Sequence, residues 1–135
     1  RVPVAFVYNS EDEFYLIDAD GYVLGMVTDG LQDLPKISYE GSVLVGTFLD
    51  KDIIPISIEI LKFADREDLR ISSMSFTPNY AKLYLNVGPE VFMGYTKEIE
   101  KSLRTIKALL NSSKSNEEVI KKIDLRYDKV IVLYD

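Results

Sequence analysis

If this chain does covalent chemistry, carboxylates must do it. The sequence has no histidine and no cysteine, so the commonest general base, the commonest metal ligand and every thiolate site are missing. The acids that remain as candidates are Glu11, Asp12, Glu13, Asp18, Asp20, Asp65, Glu67 and Asp68. Paired carboxyls act as acid and base only where their surroundings drive the two pKa values apart. These sit in segments that read as turns, where acids are ordinary solvated residues. Asp18-Ala19-Asp20-Gly21 begins like a calcium loop, but the EF-hand pattern needs its glycine at position six and a glutamate at twelve between helices. Here Gly21 comes two positions early, Asp29 stands at the twelfth place, and the flanks have strand pattern. A hairpin turn is the better reading. The seven glycines never cluster before a Lys-Ser or Lys-Thr pair, and no serine lies in a G-x-S-x-G elbow. No cofactor and no metal is expected, and the chain reads as a protein that is not an enzyme.

Composition narrows the partners. Sixteen basic residues against twenty-two acidic ones give a net charge of -6 and a pI near 4.7. The bases are interleaved with acids, which argues against nucleic acid and against flat adsorption on anionic lipid. At 135 residues with a hydrophobic fraction of 47%, residues 1–135 read as a single folded domain with a real core. The absence of cysteine leaves the compartment undecided. No stretch approaches the roughly eighteen consecutive apolar residues of a membrane span, and no basic region precedes an apolar signal core. The opening Arg1-Val2-Pro3 lacks a methionine and starts inside what reads as a strand. A fragment of a longer protein is the expectation.

The positioning elements follow from periodicity. Residues 2–8 are an apolar run with Pro3 near its start, where a strand tolerates proline. Residues 14–17 and 22–24 flank a turn in which Gly21 supplies positive φ and the aspartates bond the backbone. Residues 26–35 read as turn-rich, and 43–48 as a short strand or a helix lead-in. Ile53, Ile56, Ile60, Leu61 and Ala64 then recur at helical spacing, with Asp52 as N-cap and Pro55 in the first turn. Residues 71–76 and 81–87 predict a hairpin around Thr77-Pro78-Asn79-Tyr80, with Leu83, Leu85 and Val87 on its buried face. A short strand over 91–93 follows. Thr96 would cap a longer helix with Ile99, Leu103, Ile106 and Leu110 as its stripe, stopped by residues 111–116. A turn of helix over 117–122 and two strands, 123–127 and 130–134, complete the chain. Strands outnumber helices, and the helices come in blocks. That order predicts an α+β fold, a mostly antiparallel, curved sheet of many strands with two main helices packed on it.

Five segments in register carry a resemblance. They are Arg1-Val2-Pro3-Val4-Ala5, Tyr15-Leu16-Ile17-Asp18-Ala19-Asp20-Gly21, Leu34-Pro35-Lys36-Ile37, residues 88–94 in N-V-G-P-E-V-F-M-G, and Asp124-Leu125-Arg126-Tyr127. In that order and at those separations the chain resembles the FtsQ/DivIB family of bacterial cell-division proteins. The resemblance implies the β domain of a single-pass protein of the cell inner membrane, without its membrane helix and POTRA domain, lying on the extracytoplasmic side at the division septum. It also implies a non-catalytic role in septum formation, binding FtsB/DivIC-like and FtsL-like partners. In FtsQ an FtsB segment adds as a further strand beside the one after "DLRY". Carried over by position, the partner-binding residues are Arg126, Tyr127, Lys129, Val130, Ile131, Val132, Leu133 and Tyr134. The glycine that usually follows the motif is absent, with Asp128-Lys129 in its place. The turn must be shorter or of another type.

The residues themselves read equally as an edge strand or as a strand over 130–134 that is central or shielded in the sheet. A last strand with nothing after it to cover its outer side leaves N–H and C=O groups open to a partner. Pairing five residues adds a few hydrogen bonds of about 1 kcal/mol net each, whereas association costs at least about 4 kcal/mol. Side chains must supply the rest, and tyrosine and arginine are of the types enriched at binding hot spots. The alternative expectation is a cell-wall (peptidoglycan) binding module, in which exposed tyrosine and asparagine residues engage glycan or stem peptide.

Overall fold

The computed structural model describes residues 1–9, 11–28, 33–49, 53–95 and 98–135. In chain order the elements are β1 (Pro3–Tyr8), β2 (Phe14–Asp18), β3 (Val23–Val27), β4 (Lys36–Ser38), α1 (Ile54–Arg66), β5 (Ile71–Phe76), β6 (Tyr80–Leu85), β7 (Glu90–Gly94), α2 (Ile99–Ser115), β8 (Ile120–Leu125) and β9 (Ile131–Tyr134). The strands form one sheet in the order β3-β2-β1-β4-β5-β6-β7-β8-β9. Pairs β1·β4, β4·β5 and β7·β8 are parallel and the rest antiparallel. This is the expected α+β fold with a mostly antiparallel sheet and two helices.

Strand alternation gives the sheet two unlike faces. Val7, Ile37, Met74, Leu83, Val91, Ile123 and Val132 lie in register across seven strands. All are buried except half-buried Val132, and they pack with Ile54 and Ile60 of α1 and Leu103 and Ile106 of α2 in one core. The next residues along the same strands form the opposite row: Tyr8, Ser38, Ser75, Lys82, Phe92, Asp124 and Ile131. Phe92 is buried yet lies outside the main core.

Several local expectations need correction. The helix expected to stop at residues 111–116 runs on to Ser115, because Ser113 turns inward, is buried, and its Oγ donates to the Leu110 carbonyl at 3.0 Å. The turn of helix expected over 117–122 is instead a chain reversal at Glu117, with φ of 56°, after which β8 starts at Ile120. Val87 is not a core residue: β6 ends at Leu85 and Val87 is 91% exposed. The turn-rich reading from Met26 misses the end of β3, which reaches Val27. Residues 43–48 form neither helix nor strand. They run along the start of β3, with Val23 N–H donating to Thr47 O and Gly46 N–H to Val23 O, both at 2.9 Å. The short β4 had no periodicity to betray it. The expected caps Asp52 and Thr96 lie outside the described residues.

Candidate functional site

Among the eight acids weighed for chemistry, only Asp18 is buried. Its Oδ1 accepts the N–H groups of Asp20 and Tyr22 at 2.9 Å each, and its Oδ2 accepts Arg1 Nη1 at 2.6 Å. The Arg1 guanidinium also lies over the Tyr22 ring at 4.2 Å. Burial pushes the Asp18 carboxyl up, but Arg1 and the two N–H groups outweigh it and hold the carboxyl below the usual carboxylate range. The residue is an ionised structural lock with no proton to transfer. No group of three acids suited to a metal occurs among the described residues. A cleft of about 1120 Å³ beside α1 is lined by three acids, Asp33, Glu59 and Asp65, all exposed, and lies away from the C-terminal strands.

The C-terminal strands hold a second buried aspartate. Asp124 projects from β8 on the face away from the helices, where it pairs across with Ile131. Its Oδ1 accepts both the backbone N–H and Nε–H of Arg126 at 3.0 Å, and its Oδ2 accepts Nη2 at 2.6 Å. That three-point hold, first of all the guanidinium itself, keeps the Asp124 carboxyl below its ordinary range and raises Arg126. The guanidinium carbon lies 4.8 Å from the ring centroids of both Tyr80 and Phe92 and 5.3 Å from that of Tyr127. Lys122 Nζ stands 4.4 Å from the same Phe92 ring. Phe92 is thus roofed by cations, which explains its burial on an otherwise helix-free face.

Residues 126–130 connect β8 to β9. None of them has positive φ, so the turn needs no glycine.

β9 pairs with β8 and is the last strand of the sheet. Ile131 and Leu133 are 52% and 50% exposed, and Tyr127, Val130 and Tyr134 are exposed beside them. A run of large apolar side chains exposed along one edge is unusual for a free surface. The eight residues assigned from sequence therefore gather on one strand and its leading turn. Within that group Val132 packs against the core and the Arg126 fork is occupied by Asp124, while Lys129 is exposed. Sequence reasoning missed Asp124, Tyr80 and Phe92. The first was legible, since residues two apart on a strand share a face. The two rings reach Arg126 only through the sheet order.

A model of a protein family described as cell division protein FtsQ/DivIB, C-terminal, matches residues 5–126. No curated protein matches the chain.

Proposed function

Because the chain belongs to the FtsQ/DivIB family of cell-division proteins, we propose that it is a partner-binding domain whose β9 edge receives a strand from another division protein. Its cell-division role follows from the family, which is one of division scaffolds and not of known enzymes. The partners fitting this reading are extracytoplasmic segments of FtsB/DivIC-like and FtsL-like proteins, met outside the membrane by a domain anchored through a longer chain. Family membership associates it with the membrane at the division site. No helix among the described residues is long and apolar enough to cross a membrane.

The observation that carries the reading is the outer side of β9. An added strand would find open backbone groups along it, with Ile131 and Leu133 on one face and Val132 and Tyr134 on the other. Apolar burial then supplies what backbone pairing alone lacks, at about 25 cal/mol per Å². Tethering both partners to one membrane raises their effective concentration, so a modest intrinsic affinity suffices.

The test mixes the chain with the extracytoplasmic segment of its FtsB/DivIC-like partner. Tyr127→Ala should weaken binding measurably, and the double change Ile131→Lys with Leu133→Lys should abolish it, while circular dichroism stays unchanged. Truncation after Arg126 should abolish it as well. Undiminished binding by the folded double variant rules out the edge mechanism.

A further inference from the structure

The turn that launches β9 contains no positive-φ residue. What holds its first residue is a side chain. Asp124 takes the Arg126 backbone N–H and the same residue's Nε–H on one oxygen, and Nη2–H on the other. With the main chain and the guanidinium fixed from one carboxylate, Arg126 has little freedom left. Its plane then rests on Tyr80 and Phe92, and Tyr127 lies within cation–π range of it. Tyr127 is itself 57% exposed.

We infer that Asp124 is the positioning residue of the β9 edge, acting through Arg126 to set the Tyr127 ring before a partner arrives. This rests on the reading of β9 as the binding edge. It makes the edge preorganised: the ordering cost of an exposed aromatic is met in folding and does not fall on association. A neutral amide keeps the shape of the carboxylate but gives up one acceptor oxygen and the charge, so the fork loosens while the strand remains.

Two readouts test it on the whole chain. In solution spectra of the free protein, the Arg126 Nε–H should exchange slowly with solvent and the Tyr127 ring protons should show the shift of a ring held beside a guanidinium. Asp124→Asn should speed the exchange and move the Tyr127 signals toward those of a free ring. Against the FtsB/DivIC-like extracytoplasmic segment, Asp124→Asn should weaken binding about tenfold, yet add less than about twofold in a Tyr127→Ala background, because both act through one ring. Arg126→Lys, which keeps the charge and loses the fork, should show the same coupling and serves if Asp124→Asn unfolds the chain. Equal losses in both backgrounds would mean a purely structural aspartate and overturn the inference. So would unchanged Tyr127 signals. Absence of wild-type binding, or binding indifferent to Tyr127→Ala and to Ile131→Lys with Leu133→Lys, removes instead the edge reading on which it rests.

Discussion

At the scale of single residues the chain uses one device twice. Asp18 and Asp124 are both buried, both accept an arginine at 2.6 Å and both bind nearby backbone N–H groups. Each arginine is also stacked on aromatic rings. Both carboxyls titrate lower in the folded protein than in the unfolded chain. As pH falls the unfolded chain therefore binds protons first. The stability these groups contribute is present above the unfolded carboxyl value of about 3.9, and is lost as pH falls through the folded values. Asp18→Asn should accordingly lower the urea midpoint at pH 7 and lower it less at pH 2. An equal drop at both values would deny the carboxylate its part. Tyr95 shows the neutral counterpart: its hydroxyl donates toward the carbonyls of Thr77 and Tyr80, at 2.6 and 2.9 Å, tying the β5–β6 turn to the end of β7. Tyr95→Phe should cost about 1–2 kcal/mol, read from urea unfolding. Of these groups, Asp124 and Arg126 could be paired from sequence by strand alternation. Arg1 and Asp18 are 17 positions apart, and nothing local announces their meeting.

At the scale of elements, legibility tracked the length and regularity of the hydrophobic pattern. The β5–β6 hairpin around Thr77 and α1 follow from period, although Ile54 and Ser57 of α1 are buried outside the expected stripe, and β8 starts at Ile120 and ends at Leu125 where a strand over 123–127 is expected. Element ends were set by features that periodicity does not carry, such as Ser113 turning inward to prolong α2. β4 was invisible because three residues cannot display a period, and its place comes from its neighbours. β9 lies between these cases: its strand character was legible, and its position as an edge required the sheet order. An edge strand has a dynamic signature. Amides of β9 that bond to β8 should resist hydrogen exchange, while the alternate ones facing outward should exchange within seconds. A bound partner strand should erase that alternation. If every β9 amide is already protected in the free chain, the edge is covered. Leu133→Lys tests the same element from the side-chain direction, since a half-exposed site should tolerate lysine within about 0.5 kcal/mol of stability.

At the scale of the molecule, the continuous sheet hides an uneven construction. β3-β2-β1 form an antiparallel meander at one end, and β5-β6-β7 another toward the other end. Between them stands only β4, paired in parallel over three residues to β1 and over two to β5. A parallel ladder is slightly less stable per residue than an antiparallel one, so this join has few hydrogen bonds of the weaker sort. Its strength must come from packing, and Ile37 is the residue that provides it. Ile37 is fully buried, lies between Val7 and Met74 in the core row, and is the middle residue of the strand. Truncating it removes core contact from the one place where backbone pairing is least able to compensate. Ile37→Ala should destabilise the chain by about 2–5 kcal/mol in urea unfolding, as deletions of buried aliphatic side chains do. Leu83→Ala, in the middle of the β5-β6-β7 meander, should cost a similar amount. The two should differ in how the loss is distributed. For Ile37→Ala, amides of β1, β2 and β3 should become exchangeable at lower denaturant than those of β5 to β8, because the weakened join lets one end of the sheet open separately. For Leu83→Ala, protection should fall together across the sheet. Uniform loss in both variants would mean that β4 transmits cooperativity as well as any other strand. The β9 edge would then stand on a sheet that opens only as a whole.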